Sequence, residues 1–267
     1  MNLNSIFSAR WRGKRCLVTG ASAGIGLAIA EELAAAGAHL VLTARRKDRL
    51  ESLAARLSSA HGVTVDVLPA DLAEPSAPDR IRSFTQAHSL EIELLVNNAG
   101  FGSYGRFAEA DLPRQLQMVQ VNCVAVVHLT YLYLGEMVAR RHGDILIVAS
   151  VAGFQAVPYV STYAATKAFD LRFAQGLAEE VRGSGVHVCA LCPGSTATEF
   201  REVAGQPERT FRGAETAQKV ARTGLRALAA GKSSVISGFK NTLSVEGQRL
   251  APRSFVSRVA AGMFEPK

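Results

Sequence analysis

The stretch RCLVTGASAGIGLAIAEELAAAGAHLVLT, residues 15–43, decides how this chain folds. Arg15-Cys16-Leu17-Val18-Thr19 is a short apolar run stopped by Gly20, and it reads as a buried strand. Residues 27–36 are rich in Ala, Leu and Glu, all strong helix formers, and Gly37 sits where a C-terminal cap is expected. Residues 39–43 form a second apolar run, so strand, glycine turn, helix and strand make one βαβ unit. Without a Cβ, Gly20, Gly24 and Gly26 let backbone N–H groups close on a pyrophosphate at a helix N-terminus, whose dipole favours anions. Glycines also simply make turns, and the spacing G-x-x-x-G-x-G differs from G-x-G-x-x-G. The flanking strand and helix give the motif its weight. A second glycine motif fails: Gly231-Lys232-Ser233 has Arg226 where a phosphate loop needs its first Gly.

The alternation continues outward. Helices are expected over residues 48–59, 77–88, 112–139 and 214–230 and around Tyr163 to about residue 182, and strands over 63–68, 93–96, 144–149, 186–192 and 234–236. Such spacing predicts an α/β doubly wound parallel sheet covered on both faces, with ligands at the carboxyl ends of its strands. The glycine turn, Asp71, Asn98 and Ser150 all stand at such ends. No linker divides the 267 residues, so a single domain over 1–267 is expected, with residues 239–267 as helix fragments of no evident role. In the long helix, Leu112, Leu116, Val119, Cys123, Val126, Leu134 and Met137 follow the spacing of a buried stripe, with Asn122 at its edge. That amide is either a satisfied core group or the holder of a ligand or water.

After the strand that ends on Ser150, a loop leads to a helix carrying Tyr163 and Lys167. Residues four apart share a helix face, so phenol and ammonium are neighbours. A cation there favours phenolate and lowers the Tyr pKa, which suits proton exchange with a carbonyl oxygen. Taken alone, Y-x-x-x-K equally describes a buried Tyr and a solvated Lys.

The second strand ends in Thr43-Ala44-Arg45-Arg46-Lys47, where an NAD site needs an acid for the ribose 2′-OH. Arginine matches a 2′-phosphate, which favours NADP(H). The bland alternative is a solvated basic helix start, with Asp48 supporting that helix.

Composition narrows the partners. A net charge of +7 with basic clusters at residues 10–15 and 45–49 favours anionic partners: phosphorylated cofactors, acidic carrier proteins or lipid headgroups. With no basic–aromatic stripe, zinc finger or reading helix, a nucleic-acid role is not expected. The apolar runs are broken before about 18 residues, so no membrane-spanning helix is expected. Residues 1–15 lack a secretory apolar core, which makes the cytoplasm the default location. Cys189 and Cys192 form a C-x-x-C within a strand, where they point to opposite faces. No second pair completes a metal site, so all four Cys read as reduced structural thiols.

With these residues in place, the chain resembles the short-chain dehydrogenase/reductase family from about Arg15 to Gly238. The motifs are T-G-x-x-x-G-I-G at residues 19–26, N-N-A-G at 97–100, a Ser thirteen residues before Y-x-x-x-K, and P-G-x-x-x-T at 193–198. The resemblance implies a seven-stranded Rossmann-type sheet, with a core of about 13–238, and a catalytic tetrad at Asn122, Ser150, Tyr163 and Lys167. Tyr163 would be the proton donor in carbonyl reduction, Ser150 would hold the substrate oxygen, and Lys167 would lower the Tyr163 pKa and bind a ribose. Asn122 would hold a water linking Lys167 to solvent. Cofactor contacts would fall on Gly20, Ser22, Gly24, Ile25, Gly26, Asp71, Leu72, Asn98, Ala99, Gly100, Thr196 and Thr198. Arg45, with Arg46 beside it, would read the 2′-phosphate.

The carrier-protein reductases of this family end their last strand in Asp/Asn-Gly-Gly. Here Ile236-Ser237-Gly238 stands there, so the pattern is closer to reductases similar to those acting on steroids or long-chain 3-oxoacyl groups. The expected activity is NADPH-dependent reduction of a carbonyl. Phe101, Tyr104, Phe154, Val157, Pro158, Phe200 and Phe211 could surround an apolar or acyl substrate, and the loops at residues 152–161 and 195–212 would define it. Two alternatives stand beside this: a 3-oxoacyl thioester reductase acting on a carrier protein or CoA, and a non-catalytic NADP-binding sensor. The sensor predicts losses among the tetrad, and none is lost. A homodimer or homotetramer is implied by the resemblance.

Overall fold

β1 (Arg15–Thr19) is buried on both faces, and its side chains alternate between two cores. Cys16 and Val18 join one core; Leu17 joins the other. The same alternation recurs in each central strand of this computed structural model, which describes residues 3–211 and 213–266. Met1, Asn2, Arg212 and Lys267 lie outside the described residues, so the ends of the expected domain and the last residue of the expected substrate loop are not placed.

In chain order the elements are α1 (Leu3–Trp11), β1, α2 (Gly24–Ala35), β2 (His39–Ala44), α3 (Lys47–His61), β3 (Val65–Pro69), α4 (Ala77–Ala87) and β4 (Ile92–Asn97). There follow α5 (Leu112–Val119), a π-turn (Gln120–Val124), α6 (Ala125–Ala139), β5 (Gly143–Val148), α7 (Ser161–Glu180) and β6 (Val186–Cys192). The remainder is β7 (Thr196–Ala197), α8 (Phe200–Ala204), β8 (Glu215–Thr216), α9 (Ala217–Ala229), β9 (Ser234–Ile236), α10 (Phe239–Gly247) and α11 (Arg253–Phe264). The sheet has seven parallel strands in the order β3-β2-β1-β4-β5-β6-β9, a Rossmann-type arrangement in one domain. α2 and α9 cover one face of the sheet; α4, α6 and α7 cover the other.

The expected elements are present, with instructive differences. α2 begins at Gly24 rather than Leu27, because the glycine turn is itself the first helical turn. Residues 195–216, expected as loop and helix start, contain α8 and a small parallel pair, β7 with β8. α1 was not foreseen; it packs on α2 and α9 through Phe7 and Trp11. Cys189 and Cys192 do lie on opposite faces of the sheet, and burial pushes both thiols up to about 12.

The expected stripe of the long helix is corrected in its first half. Leu112 and Leu116 are each 60% exposed and Val119 is also exposed; Cys123, Val126 and Met137 are buried, and Leu134 is half-buried. The buried row is the adjacent one: Gln115, Met118, Asn122, Val126, Leu129, Tyr133 and Met137 keep a three-and-four spacing through the π-turn, beside the expected stripe in its first half. Before the turn the inward residues are Gln115 and Met118. Asn122, within the turn, moves from the stripe's edge to complete burial. By length and composition alone one helix among the described residues, Leu112–Ala139 (28 residues), is long and apolar enough to cross a membrane, and half of its most apolar window is buried in the protein.

Candidate active site

The carboxyl ends of β1, β2, β4, β5 and β6 open into one cavity of about 440 Å3. One end is built by the glycine turn. Gly20 and Gly24 take positive φ of 65° and 57°, a region open to glycine at little cost. A Cβ on Gly26 would lie 2.4 Å from Asn98 Nδ2 and 2.5 Å from Gly20 O, so only glycine lets α2 start against β4. Asn98 fixes the turn from the other side: its Nδ2 donates to Thr19 O at 2.8 Å, and its N–H donates to Thr19 Oγ1 at 2.9 Å. Gly20, Ser22, Gly24, Ile25, Asp71, Leu72, Asn98, Ala99 and Gly100 all line the cavity; Gly26 lies beneath it. The N-terminus of α2 thus faces a cradle shaped for an anion, as a pyrophosphate requires.

Arg45 and Arg46 line the same end. Arg45 is exposed and makes no hydrogen bond or ion pair among the described residues, which leaves its guanidinium available to an anionic ligand. Arg46 donates to Ser22 Oγ at 3.1 Å and to Glu199 at 2.7 Å; Arg49 holds the same carboxylate at 2.5 Å. Hydrogen bonds from Arg49 and then Arg46 hold the Glu199 carboxyl below its usual range. Glu199 ties the α8 segment across the groove to the start of α3, a clasp that sequence reading missed. Thr196 and Thr198 line the cavity beside it, and Thr198 Oγ1 accepts from Phe200 N at 3.2 Å to start α8.

At the other end stand Ser150, Tyr163 and Lys167. Ser150 follows β5 and caps a short turn, its Oγ accepting from Ala152 N at 3.1 Å. Gly153 permits that turn to lie on α7, since a Cβ there would be 2.6 Å from Lys167 O. Lys167 Nζ donates to Val148 O at 2.7 Å and to Asp170 Oδ2 at 2.9 Å. Burial works against its ammonium, but Asp170 and Tyr163 outweigh that and raise its pKa. The expected lowering of the Tyr163 pKa is corrected: burial dominates and raises it, while Lys167 and a hydrogen bond with Ser150 pull the other way. The neighbour argument had the right sign and left out desolvation.

Asn122 does not reach the cavity. Its Nδ2 donates to Phe101 O and Thr166 Oγ1 at 3.0 Å each, and its Oδ1 accepts from Phe101 N at 3.1 Å. The side chain is spent on pinning the segment after β4 to α7.

The substrate end is apolar, walled by Phe101, Val121, Val157, Val160, Phe200 and Phe264. The Tyr163 and Phe200 rings lie 5.1 Å apart. Of the expected surrounding residues, Phe101, Val157, Phe200 and Phe211 line the cavity, whereas Tyr104, Phe154 and Pro158 do not. Phe264 comes from α11, whose Ala260 is buried against Val157, Val160 and Ala164. The C-terminal segment thus has a role after all. No local pattern announced it, because the contact is made by a fold-back from the far end of the chain.

Comparison with known proteins agrees with this geometry. A family model described as short chain dehydrogenase matches residues 14–209. The chain is 35% identical over 181 residues to a very-long-chain 3-oxoacyl-CoA reductase of Phaeosphaeria nodorum, covering 66% of this chain and 53% of the relative. It is 34% identical over 186 residues to a 7beta-hydroxysteroid dehydrogenase of Clostridium sardiniense, covering 70% of each. The chain thus matches only about half the length of the first of these. A short-chain dehydrogenase of Sphingobium yanoikuyae, solved in complex with NADPH, superposes with a TM-score of 0.82 at 32% identity, over 91% of this chain and 95% of that one. A Rossmann-type sheet, a glycine cradle and a Ser–Tyr–Lys cluster in one groove, with a family match over most of the chain, lead to one conclusion: the chain belongs to the short-chain dehydrogenase/reductase family of oxidoreductases.

Proposed function

We propose that the protein is an NADPH-dependent reductase of apolar carbonyl compounds. The convergence of Ser150, Tyr163 and Lys167 beside an apolar pocket, in the same cavity as the glycine cradle, carries this reading. The cradle fits a dinucleotide: Gly20, Gly24 and the α2 N-terminus would take the pyrophosphate, and the unpaired Arg45 a 2′-phosphate. When bound, the reduced dinucleotide supplies the hydride. Ser150 Oγ and the Tyr163 hydroxyl hold the substrate oxygen, and Tyr163 gives it a proton as charge develops there. A phenol whose pKa is raised by burial stays protonated at neutral pH, as a proton donor must, and this supports the reductive direction. Lys167 stabilises the phenolate left behind. Asn122 keeps the Phe101 segment and α7 in register.

Apart from Lys167, no charged side chain lines the substrate end among the described residues, so the substrate body is uncharged and apolar. A ketone on a rigid hydrocarbon or on an acyl chain suits it. The second reading, a 3-oxoacyl thioester carried by CoA or a protein, draws support from the +7 charge and from the relatives' named activities. The exposed apolar side chains Leu112, Leu116, Val127 and Tyr131 along α5 and α6 support a homo-oligomer, which sedimentation velocity of Tyr131→Asp against wild type tests. For the activity, NADPH oxidation is followed across bulky ketones, 3-oxoacyl thioesters, sugars and hydroxy acids. Turnover of apolar ketones or thioesters is expected; turnover confined to sugars or acids would overturn the reading.

A further inference from the structure

We propose that Asp170 is a positioning residue of the reaction: its carboxylate pins the Lys167 ammonium from the protein interior and, by offsetting that charge, keeps Tyr163 a proton donor. The inference rests on the reading of Tyr163 given above. Asp170 lies on α7 one turn beyond Lys167 and has no exposed surface. Its Oδ2 accepts from Lys167 Nζ at 2.9 Å, while its Oδ1, also buried, has no partner.

Stability does not account for this arrangement. A buried ion pair seldom repays the desolvation of both ions, and an unsatisfied buried carboxylate oxygen adds to that cost. Two apolar side chains of similar volume are often at least as stable in such a place. What the pair does achieve is geometric. An ammonium has three N–H donors, and Lys167 spends two of them, on Asp170 and on Val148 O at 2.7 Å. Both acceptors belong to buried residues. The groove is close by, since Gly100 lines it and a Cβ there would stand 3.5 Å from Nζ. The third donor is left for a group in the groove.

The electrostatic surroundings of Asp170 are simple. From its own helix it meets Lys167 and Tyr163; from the π-turn it meets Cys123, and from β6 Cys192. Both thiols are pushed up to about 12, mainly by burial, and stay neutral. Lys167 is the charged group that acts on Asp170. Remove the carboxylate, and the ammonium faces Tyr163 without a counter-charge. Phenolate is then favoured, and Tyr163 loses its proton at lower pH.

The experiment compares Asp170→Asn with wild type. Each protein is titrated by its ultraviolet phenolate absorbance against the same protein carrying Tyr163→Phe, which isolates one phenol. In parallel, the alkaline limb of carbonyl reduction is recorded. Both the titration midpoint and the limb are expected to fall by roughly one pH unit on loss of a charge at this range. Asp170→Glu keeps the charge and should bring both back toward wild type, which a merely structural role would not do. Should Asp170→Asn fail to fold, as judged by circular dichroism, Asp170→Ser makes the same test. An unchanged or raised midpoint in a folded uncharged variant overturns the proposal. Absence of carbonyl turnover in wild type would overturn the proposed function, yet leave the phenol titration to decide on Asp170.

Discussion

Asp144 and Asp170 are both buried aspartates bound to a cation, yet the protein treats them in opposite ways. Asp144 sits near the amino end of β5. Arg10 grips it at 2.8 and 2.5 Å, Trp11 Nε1 donates at 2.8 Å, and His187 stands at 3.5 Å. Burial alone would push its carboxyl up, but hydrogen bonds from His187, Arg10 and Trp11 hold it below the usual carboxylate range. Asp170 is close to the carboxyl end of the same strand through Lys167, has one partner, and keeps an unpaired oxygen. Burial there wins over Lys167 and pushes its carboxyl above the usual range. A saturated carboxylate at one end of the sheet fastens the N-terminal helix to the strands. An under-satisfied one at the other end holds a single cation, which keeps one donor for the groove. Satisfaction of polar groups thus separates architecture from chemistry within one fold.

The sharpest break of that comparison is at the phenol. Tyr163→Phe should lower kcat/KM for carbonyl reduction by about a thousandfold, the usual scale of general acid loss, with little change in thermal unfolding. A variant that turns over normally would remove Tyr163 from the chemistry.

Asp144→Asn should do the reverse. It should cost about 3 kcal/mol in denaturant unfolding, the scale for breaking a buried charge pair, with kcat nearly unchanged. The pH dependence carries a definite sign. Because the folded carboxyl is depressed, its stabilisation is full above the unfolded value of about 3.9 and is lost as pH falls through the lower folded value. The Asn variant should therefore show a flatter acid limb in melting temperature against pH.

The double variant Lys167→Met/Asp170→Leu separates the two carboxylates by the sign of their effect on stability. Replacing the pair by apolar groups of similar volume should leave unfolding free energy unchanged or raise it by about 1–4 kcal/mol, while abolishing turnover. Marked destabilisation would mean that this pair, like Asp144, serves the fold. The smallest effect belongs to the exposed rim. Arg45→Ala should weaken NADPH binding about tenfold in calorimetry, worth about 1.4 kcal/mol, and leave NADH binding and melting unchanged. A wild type that prefers NADH would overturn the assignment of this end to a 2′-phosphate.

Much of the molecule was legible in its sequence, for physical reasons. Buried parallel strands declare themselves as apolar runs, and the glycines declare a backbone that must be approached closely. So the sheet, the cradle and the neighbours Tyr163 and Lys167 could be read locally. Asp170 was equally legible, since it lies three residues past Lys167 on the same helix and the argument that paired Tyr163 with Lys167 applies to it unchanged. It lies just outside the Y-x-x-x-K motif, whose spacing says nothing about the next turn. Other features were not local. The Tyr163 pKa turns on burial, which no spacing reports. The Glu199 clasp joins residues 150 and 153 positions apart, and Phe264 reaches the pocket only once α11 folds back. The expected stripe at Leu112, Leu116 and Val119 lies beside the buried one, because spacing does not choose between adjacent rows of a helix that the π-turn breaks.

That break has a consequence of its own. The π-turn at Gln120–Val124 acts as a phase adjuster, in effect a single inserted codon that lets one helix answer to two sets of neighbours. Deleting one residue there would restore regular hydrogen bonding and make the helix, taken alone, a better one. The residues before the turn would keep their faces, since the lost residue is the one the wide turn accommodates, but Asn122, buried inside the turn, would lose the backbone that places it. A length change that improves the part would spoil the whole, so this segment should tolerate substitutions more readily than insertions or deletions.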